Sequence, residues 1–268
     1  MNAKAQNHQV THNANAHDRI AEKYDRLHPE IFNDREQARL RDSLAVAIEL
    51  VRSDNGPPVA LDMGSGSGNL TRHLLALGCN VTAADISPKF LALVRKRFGD
   101  DRLKTSQLNG ADLSQFPDAS FDVVATYSVL HHIPDYLGAV AEMGRVCRPG
   151  GIIYIDHEMA EHVYDPASGV AEFRRRALKP DLRKWFRPVN YYGKIRRLFD
   201  PKFANEGDIH VWPDDHIEWS KIKQRLGDAF EVVIDTEYLQ FNGRYRPEVY
   251  ADAAKSMTDM RVMVFRKI

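Results

Sequence analysis

The sequence has few of the features that mark secreted, metal-binding or nucleic-acid-binding proteins. Only two of its 268 residues are cysteines, Cys79 and Cys147, and they stand far apart. Two isolated thiols argue against a disulfide scaffold and fit a reducing compartment. The 37 Lys and Arg residues equal the 37 Asp and Glu residues in number. With no net charge, we expect no nucleic-acid partner.

Long apolar runs are also missing. Residues 1–16 are rich in Asn, His and Ala, so we expect a flexible start rather than a secretory signal. No segment approaches the about 20 apolar residues that a transmembrane helix needs. Apolar residues nevertheless make up 43% of the chain, which is enough for a packed core. We therefore expect a cytoplasmic protein of enzyme size, either a monomer or a homodimer.

What the sequence does contain is a regular alternation of strand and helix patterns. Short apolar runs typical of buried strands, with amphipathic helices between them, lie at 59–63, 80–84, 103–108, 121–127 and 152–156. Such alternation predicts an α/β fold, in which a parallel sheet carries helices on both faces. Two closing strands are predicted at 230–236 and 260–265.

The same pattern divides the chain into segments. Residues 17–156 are predicted to form the N-terminal helices and the core of the sheet. Residues 157–213 show no clean strand but several prolines and many bases, which predicts an inserted lid. Residues 214–268 predict the last helix and the closing strands of the core.

The most informative motif joins the first predicted strand to its helix. The run Leu-Asp-Met-Gly-Ser-Gly-Ser-Gly-Asn ends at Asn69 and places Asp62 at the strand end, before a glycine-rich turn. Backbone N–H groups in such a turn, together with a helix N-terminus, attract an anionic group. The third glycine, Gly68, comes one position too early for the G-x-G-x-x-G pattern of dinucleotide-binding proteins.

Two acids downstream fit a ligand at the same edge of the sheet, because open α/β sheets bind ligands at the carboxyl ends of their strands. Asp85 ends the second strand, where a carboxylate can accept hydrogen bonds from both hydroxyls of a ribose, and Ile86 can pack on adenine. Asp112 lies before the fourth strand, where it can accept a bond from the adenine amino group. Taken alone, Asp85 could be a helix cap and Asp112 a solvated loop acid.

Five segments together resemble the successive motifs of class I S-adenosylmethionine-dependent methyltransferases of the small-molecule branch, which includes enzymes of quinone and natural-product biosynthesis. The segments are 61–68, 84–87, 111–113, 128–135 and 145–151. The resemblance implies a Rossmann-like sheet of seven strands, with strand 7 antiparallel between strands 5 and 6. It also implies S-adenosyl-L-methionine as cofactor and S-adenosyl-L-homocysteine as product.

The resemblance further implies where the cofactor binds. The amides of the glycine turn would meet the methionine carboxylate, and Tyr127 at the end of strand four would lie beside the methionine portion. Tyr24 matches an N-terminal segment that commonly closes over the cofactor, although a core aromatic explains it equally well. The predicted cofactor-binding residues are Tyr24, Asp62, Gly64, Ser65, Gly66, Gly68, Asn69, Asp85, Ile86, Asp112, Leu113 and Tyr127.

Two adjacent histidines, His131 and His132, follow the fourth strand on the acceptor side. An imidazole is available as a base near neutral pH, so one of them can remove a proton from an acceptor. We favour His132 over His131. In some relatives a histidine at this motif pairs with an acid at the end of strand five, which matches Asp156. The alternative is a histidine that only hydrogen-bonds the loop, and no metal site is expected, because adjacent histidines seldom converge on one ion.

The predicted lid carries an excess of basic residues. Residues 171–205 hold eleven Lys or Arg residues and three acids, interleaved with aromatic residues. Arginine forks bind phosphate and carboxylate, so we predict a small-molecule acceptor with an acidic or phosphate group. A lipid-linked substrate at a membrane surface, reached by peripheral contact, is the alternative. Bases that merely pair with core acids explain the pattern equally well. The predicted substrate-binding residues are Arg174, Arg175, Tyr191, Tyr192 and Trp212.

The sequence therefore predicts O-, N- or C-methylation of a small molecule. Two other functions compete with it. An NAD-dependent oxidoreductase is disfavoured by the glycine spacing and by Asp62. A protein that binds S-adenosylmethionine without catalysis stays open, because binding motifs do not by themselves establish turnover.

Overall fold

A computed structural model describes residues 18, 21–52, 56–99, 101–179 and 217–268 of the protein. The strands are β1 Val59–Met63, β2 Asn80–Asp85, β3 Leu103–Gln107, β4 Phe121–Tyr127, β5 Cys147–Met159, β6 Phe230–Tyr238 and β7 Met260–Lys267. The helices in the described part are α1 Tyr24–Leu27, α2 Asp34–Glu49, α3 Asn69–Ala76, α4 Pro88–Phe98, α5 Tyr136–Val146, α6 Val170–Ala177, α7 Trp219–Leu226 and α8 Pro247–Ala253.

The seven strands form one sheet in the order β3-β2-β1-β4-β5-β7-β6. Strands β1 to β5 pair in parallel. Strand β7 lies between β5 and β6 and runs antiparallel to both. The predicted Rossmann-like sheet, including its antiparallel strand 7, is confirmed.

Helices cover both faces of this sheet. On one face, α2 and α3 bury Leu44, Ile48 and Leu74 against β1 and β4. On the other face, α5 and α7 bury Met143 and Trp219. Both faces of the central strands are therefore closed to water, which leaves the carboxyl edge of the sheet as the place for a ligand. Within the described ranges, none of the helices combines the length and the apolarity that crossing a membrane requires.

Helix α4 shows how local chemistry fixes an element. The Ser87 hydroxyl accepts a hydrogen bond from the N–H of Phe90 at 3.1 Å, and Pro88 occupies the first turn. The helix ends before Gly99, which adopts a left-handed conformation with φ +43°. An N-cap, a proline at the start and a glycine at the end are three independent local signals that fix the bounds of this helix.

The structure differs from the sequence prediction in strand β5 and in two helices. Strand β5 runs from Cys147 to Met159 rather than over 152–156, because Arg148 to Gly151 continue the strand through a shift of register against β4, and residues 157–159 of the predicted lid belong to it. Helices α6 and α8 were not predicted. They are short and pack on each other through Phe173, Ala177 and Tyr250, so tertiary contacts rather than local propensity stabilise them. Residues 1–16 and 180–213 of the predicted segments lie outside the described residues.

Candidate functional site

A cleft opens at the carboxyl ends of β1, β2 and β4. Its described walls come from the N-terminal segment, the glycine turn, the end of β2, the loop before β4 and the turn after β4. Of the predicted cofactor-binding residues, those that line the cleft are Tyr24, Asp62, Gly64, Ser65, Gly66, Asn69, Asp85, Ile86, Asp112, Leu113 and Tyr127. The structure thus brings together residues from positions 24 to 127 of the chain at one edge of the sheet.

The glycine turn is packed against its surroundings. Gly64 has a φ of +75°, and a Cβ atom there would lie 2.6 Å from Cγ2 of Val129. Gly68 has a φ of +95° and caps α3, packed beneath the turn against Phe98. Only glycine combines the left-handed conformation with these close approaches.

The backbone donors of the turn are already used inside the protein. The N–H groups of Gly64 and Ser65 donate to the carbonyl of Ala84 at 2.8 and 3.0 Å, and that of Gly68 donates to Ser65. The N–H of Gly66 donates to the Asp85 carboxylate at 2.8 Å. The predicted contact between these four amides and a methionine carboxylate is therefore not supported.

Three side-chain groups at the turn remain as buried polar atoms without a hydrogen-bond partner. They are the hydroxyls of Ser65 and Ser67 and the Nδ2 atom of Asn69, and all three residues line the cleft. Buried polar groups are rarely left unpaired in proteins. Three donors in one small region therefore fit a polar, anionic ligand end at this position.

Asp62 lies under the turn and is 1% exposed. Burial raises the pKa of its carboxyl to about 7, although hydrogen bonds from the side chain and backbone of Thr71 oppose the rise. The Thr71 hydroxyl donates to Oδ2 at 2.5 Å. A buried carboxyl with so high a pKa favours a cationic neighbour, which would restore its ionised form.

Asp85 is held rigidly at the end of β2. Its Oδ2 accepts from the N–H of Gly66 and its Oδ1 from the N–H of Ser87, both at 2.8 Å. Each carboxylate oxygen can accept a second bond, so the orientation suits a pair of neighbouring hydroxyls.

Asp112 lies at the other end of the cleft, at its edge. Its Oδ1 accepts from the side chains of Ser114 and Asn109 at 2.6 and 2.7 Å. These hydrogen bonds, that from Ser114 first, lower the pKa of Asp112 to about 2. Leu113 beside it is buried. The Asp112 carboxylate thus shapes its own loop as well as facing the cleft.

The N-terminal segment crosses over the glycine turn. The ring of Tyr24 packs edge-on against Phe90, with centroids 5.3 Å apart. Asp25 forms an ion pair with Nη1 of Arg97 at 2.8 Å, and the same nitrogen donates to the Ser67 carbonyl at 3.0 Å. Tyr24 lines the cleft, and an aromatic contact and a charged contact hold the segment in place.

The histidine pair lies in a short 3-10 turn, Leu130–His132, after β4. His132 lines the cleft. The Nδ1 atom of His131 lies 2.8 Å from Oε2 of Glu158, and the two imidazole rings are 4.0 Å apart. Ser128, at the start of this turn, has a φ of +58°, a strained conformation of the kind that clusters at functional sites.

The acid of β5 that contacts the histidine pair is Glu158, which corrects the predicted role of Asp156. Asp156 is fully buried, and its carboxylate accepts from Tyr154 at 2.7 Å, Tyr238 at 3.0 Å and Arg39 at 3.1 Å. The reason is a break in strand register after Ile155, where His157 adopts a φ of +61°.

A buried polar cluster backs the cleft at Tyr127. Arg39 binds both Asp156 and Glu36, and its guanidinium lies 3.8 Å from the ring centroid of Tyr238. The Tyr127 ring stacks on His157 at 4.6 Å. Burial lowers the pKa of His157 to about 4, so this imidazole is neutral near pH 7. Arg39 and Glu36 could not be predicted as part of this cluster from the sequence, because a charged pair on an amphipathic helix is typical of a solvated face.

The described part of the predicted lid, residues 157–179, is not among the residues that line the cleft. Arg174 forms an ion pair with the buried Asp259 at 2.8 Å, which corrects its predicted role in substrate binding. Arg175 is exposed on α6. Tyr191, Tyr192 and Trp212 lie outside the described residues. The residues known to line the cleft, all from the described ranges, include no Lys or Arg.

Comparison with known proteins finds methyltransferases that resemble part of this chain. Residues 61–155 match a family model described as a methyltransferase domain. The chain is 36% identical over 95 residues to a demethylmenaquinone methyltransferase of Tropheryma whipplei, covering 35% of this chain and 39% of that protein. It is 32% identical over 96 residues to a ubiquinone biosynthesis O-methyltransferase of Nitrosococcus oceani, covering 35% of this chain and 41% of that protein. The chain thus spans about two fifths of the length of these curated relatives.

Solved structures agree on the fold. An S-adenosylmethionine-dependent methyltransferase from Mesorhizobium loti superposes with a TM-score of 0.53 at 18% identity, covering 85% of this chain and 100% of that one. A putative sarcosine dimethylglycine methyltransferase from Galdieria sulphuraria gives 0.54 at 15% identity, covering 87% and 85%. Identities this low establish a shared fold and leave the substrate to the site itself.

Proposed function

We propose that this protein, whose residues 61–155 form a class I methyltransferase domain, transfers the methyl group of S-adenosylmethionine to a small-molecule acceptor. The observation that supports this best is the cleft at the carboxyl edge of the sheet. The cleft is lined by the unpaired side-chain donors of the glycine turn, by the buried Asp62 and by the Asp85 carboxylate, whose orientation is fixed by the Gly66 N–H.

The residues fit the cofactor from end to end. The hydroxyls of Ser65 and Ser67 and the amide of Asn69 supply donors for its carboxylate, and Asp62 supplies a negative charge for its ammonium group. Asp85 would accept from the ribose hydroxyls. The adenine would lie between Ile86 and the loop at Asp112, and Tyr24 would cover the site; these residues all line the cleft.

The cofactor supplies a sulfonium methyl group that is already activated for transfer. The protein must therefore align the acceptor and exclude water, since proximity and desolvation lower the barrier to a displacement of this kind. An acceptor that carries a hydroxyl must also lose a proton. His132 lines the cleft and is the base we assign to that step.

The cleft favours an apolar acceptor. Its walls include Ile31, Phe32, Val129 and Ile133, and no Lys or Arg is among its described lining. An aromatic ring compound suits such walls better than the phosphate-bearing acceptor predicted from the basic lid. The two relatives named above act in quinone biosynthesis, which supports the same class of acceptor.

The transfer assay tests this function. The protein is incubated with S-adenosylmethionine labelled in its methyl group and with a panel of phenols, catechols and a naphthohydroquinone. We expect label in at least one ring compound and none in phosphorylated analogues. A protein that binds S-adenosylhomocysteine in calorimetry yet labels no acceptor would instead be a binding protein. Binding of NAD in place of S-adenosylhomocysteine would favour an oxidoreductase.

The raised pKa of Asp62 predicts proton release on cofactor binding. Near pH 6 the carboxyl, with a pKa of about 7, is mostly protonated in the free protein. An ammonium group beside it stabilises the carboxylate, so binding should release up to about one proton near pH 6 and almost none near pH 8.5. Calorimetric titration with S-adenosylhomocysteine in two buffers of different ionisation enthalpy measures this number. Asp62→Asn is the control and should abolish the release, whereas an unchanged value would assign the proton elsewhere.

A further inference from the structure

Glu158 is a buried acid whose carboxylate is bound on both oxygens. Its side chain is 1% exposed. Oε1 accepts from the N–H groups of Val129 and Leu130 at 2.8 and 2.7 Å. Oε2 lies 2.8 Å from Nδ1 of His131. One side chain on β5 thus organises the whole turn after β4.

These contacts define the state of His131. A carboxylate only accepts hydrogen bonds, so the proton between the two groups lies on Nδ1 of His131. The neutral imidazole then has its lone pair on Nε2. The logic is that of an acid which fixes the tautomer of a neighbouring histidine.

The turn also fixes the position of the neighbouring histidine, His132. The N–H of His132 donates to the Val129 carbonyl at 3.0 Å, and Glu158 accepts from the Leu130 N–H of the same peptide unit, so that unit also anchors His132. The rings of His131 and His132 are 4.0 Å apart. Among the described residues, Glu158 and His157, both on β5, are titratable groups that interact with His131. The negative charge of Glu158 favours an imidazolium on the pair.

We propose that Glu158 is a positioning residue for methyl transfer: it fixes the tautomer of His131, holds His132 at the cleft and favours protonation of the pair by its negative charge. This inference rests on the proposed function, in which His132 receives the acceptor proton. Glu158 itself does not line the described cleft and acts through the turn.

The wild-type protein alone tests the tautomer. With ¹⁵N-labelled histidine and saturating S-adenosylhomocysteine, long-range ¹H–¹⁵N correlation spectra distinguish a hydrogen on Nδ1 from one on Nε2. We expect the Nδ1–H form for neutral His131. Finding Nε2–H there would overturn the proposal, whether or not an acceptor is known.

Glu158→Gln tests the charge with little change of shape. The glutamine oxygen can still accept from Val129 and Leu130, but its NH₂ group must donate to His131, which forces the hydrogen onto Nε2. We expect the pH at which His131 is half protonated to fall by about one or more. The melting temperature and the affinity for S-adenosylhomocysteine should change little. Glu172→Gln on the exposed face of α6 is the control. It should change neither the tautomer of His131, nor the pH of its half protonation, nor the melting temperature, nor the affinity for S-adenosylhomocysteine.

Kinetics with naphthohydroquinone as the probe acceptor separates positioning from mere stability. We expect Glu158→Gln to lower kcat about 10- to 100-fold, in the range of a general-base contribution, and to shift the acid limb of the pH profile downward. In a His132→Ala background the same change should have almost no further effect, because residues that act as a unit are not additive. If the effects of Glu158→Gln and His132→Ala on kcat were fully additive, or if the pH profile did not change, the proposal for Glu158 would be overturned. Methyl transfer by the wild type would still support the proposed function.

Absence of transfer by the wild type would count against the proposed function. The tautomer measurement would then still decide the role of Glu158.

Discussion

Asp85→Ala is expected to weaken binding of S-adenosylhomocysteine by on the order of 100-fold or more, because hydrogen bonds to a charged group contribute about 1.5–3 kcal/mol each. The variant removes the acceptor for both ribose hydroxyls. It also frees the N–H groups of Gly66 and Ser87, which now donate to Asp85 at 2.8 Å. Calorimetric titration measures the affinity.

The control for this variant is Asp101→Ala. Asp101 is exposed and precedes β3 at the opposite edge of the sheet, so its loss should leave the affinity within about twofold. A melting curve without ligand shows whether Asp85→Ala remains folded. A folded Asp85→Ala protein with wild-type affinity would contradict the assignment of the ribose to this carboxylate.

Arg39→Met is expected to destabilise the fold by about 3–5 kcal/mol, because it leaves buried carboxylates without their cation. Asp156 is 0% exposed and Glu36 is 2% exposed, and Arg39 binds both. Burial already raises the pKa of Glu36 above its usual value, against the opposing effects of the Phe241 N–H and Arg39. Without Arg39 the pKa of the Glu36 carboxyl should rise further, so the loss should be larger at pH 8 than at pH 5.

Chemical denaturation of Arg39→Met and Arg41→Met gives the comparison. Arg41 lies on the same helix, but its ion pair with Asp42 is exposed on both sides, at 57% and 68%. Exposed pairs contribute little, so Arg41→Met should change the unfolding free energy by less than about 1 kcal/mol. Equal losses in the two variants would show that the buried cluster contributes no more than a surface pair.

The parts of the molecule that local chemistry specifies could be predicted from sequence. The Ser87 cap and Pro88 are local signals that mark the start of α4. The apolar runs gave the central strands, and the acid at the end of β2 gave Asp85 as a cleft residue. These signals lie within a few residues of the feature they determine, so no tertiary information is needed to detect them.

Features that depend on strand register or on distant partners could not be predicted. Asp156 and Glu158 stand two apart, and an unbroken strand would place both on one face. The break after Ile155 instead turns Asp156 to the buried cluster and Glu158 to the histidine turn. The bond between Arg174 and Asp259 joins residues 85 positions apart, which no local pattern reveals.

The hydrogen-bond partners of the glycine-turn amides could not be predicted from sequence for a related reason. The motif correctly indicates a tight turn, but it does not show that the Ala84 carbonyl and the Asp85 carboxylate, on the neighbouring strand, accept from that turn. The side chains of Ser65, Ser67 and Asn69 are donors that the described structure leaves for a ligand.

A crystal structure with S-adenosylhomocysteine tests the central claim most directly. We predict the amino-acid end of the ligand within hydrogen-bond distance of the Ser65, Ser67 and Asn69 side chains, and both ribose hydroxyls on Asp85. A ligand that binds elsewhere, or a cleft that stays empty at saturating concentration, would contradict it.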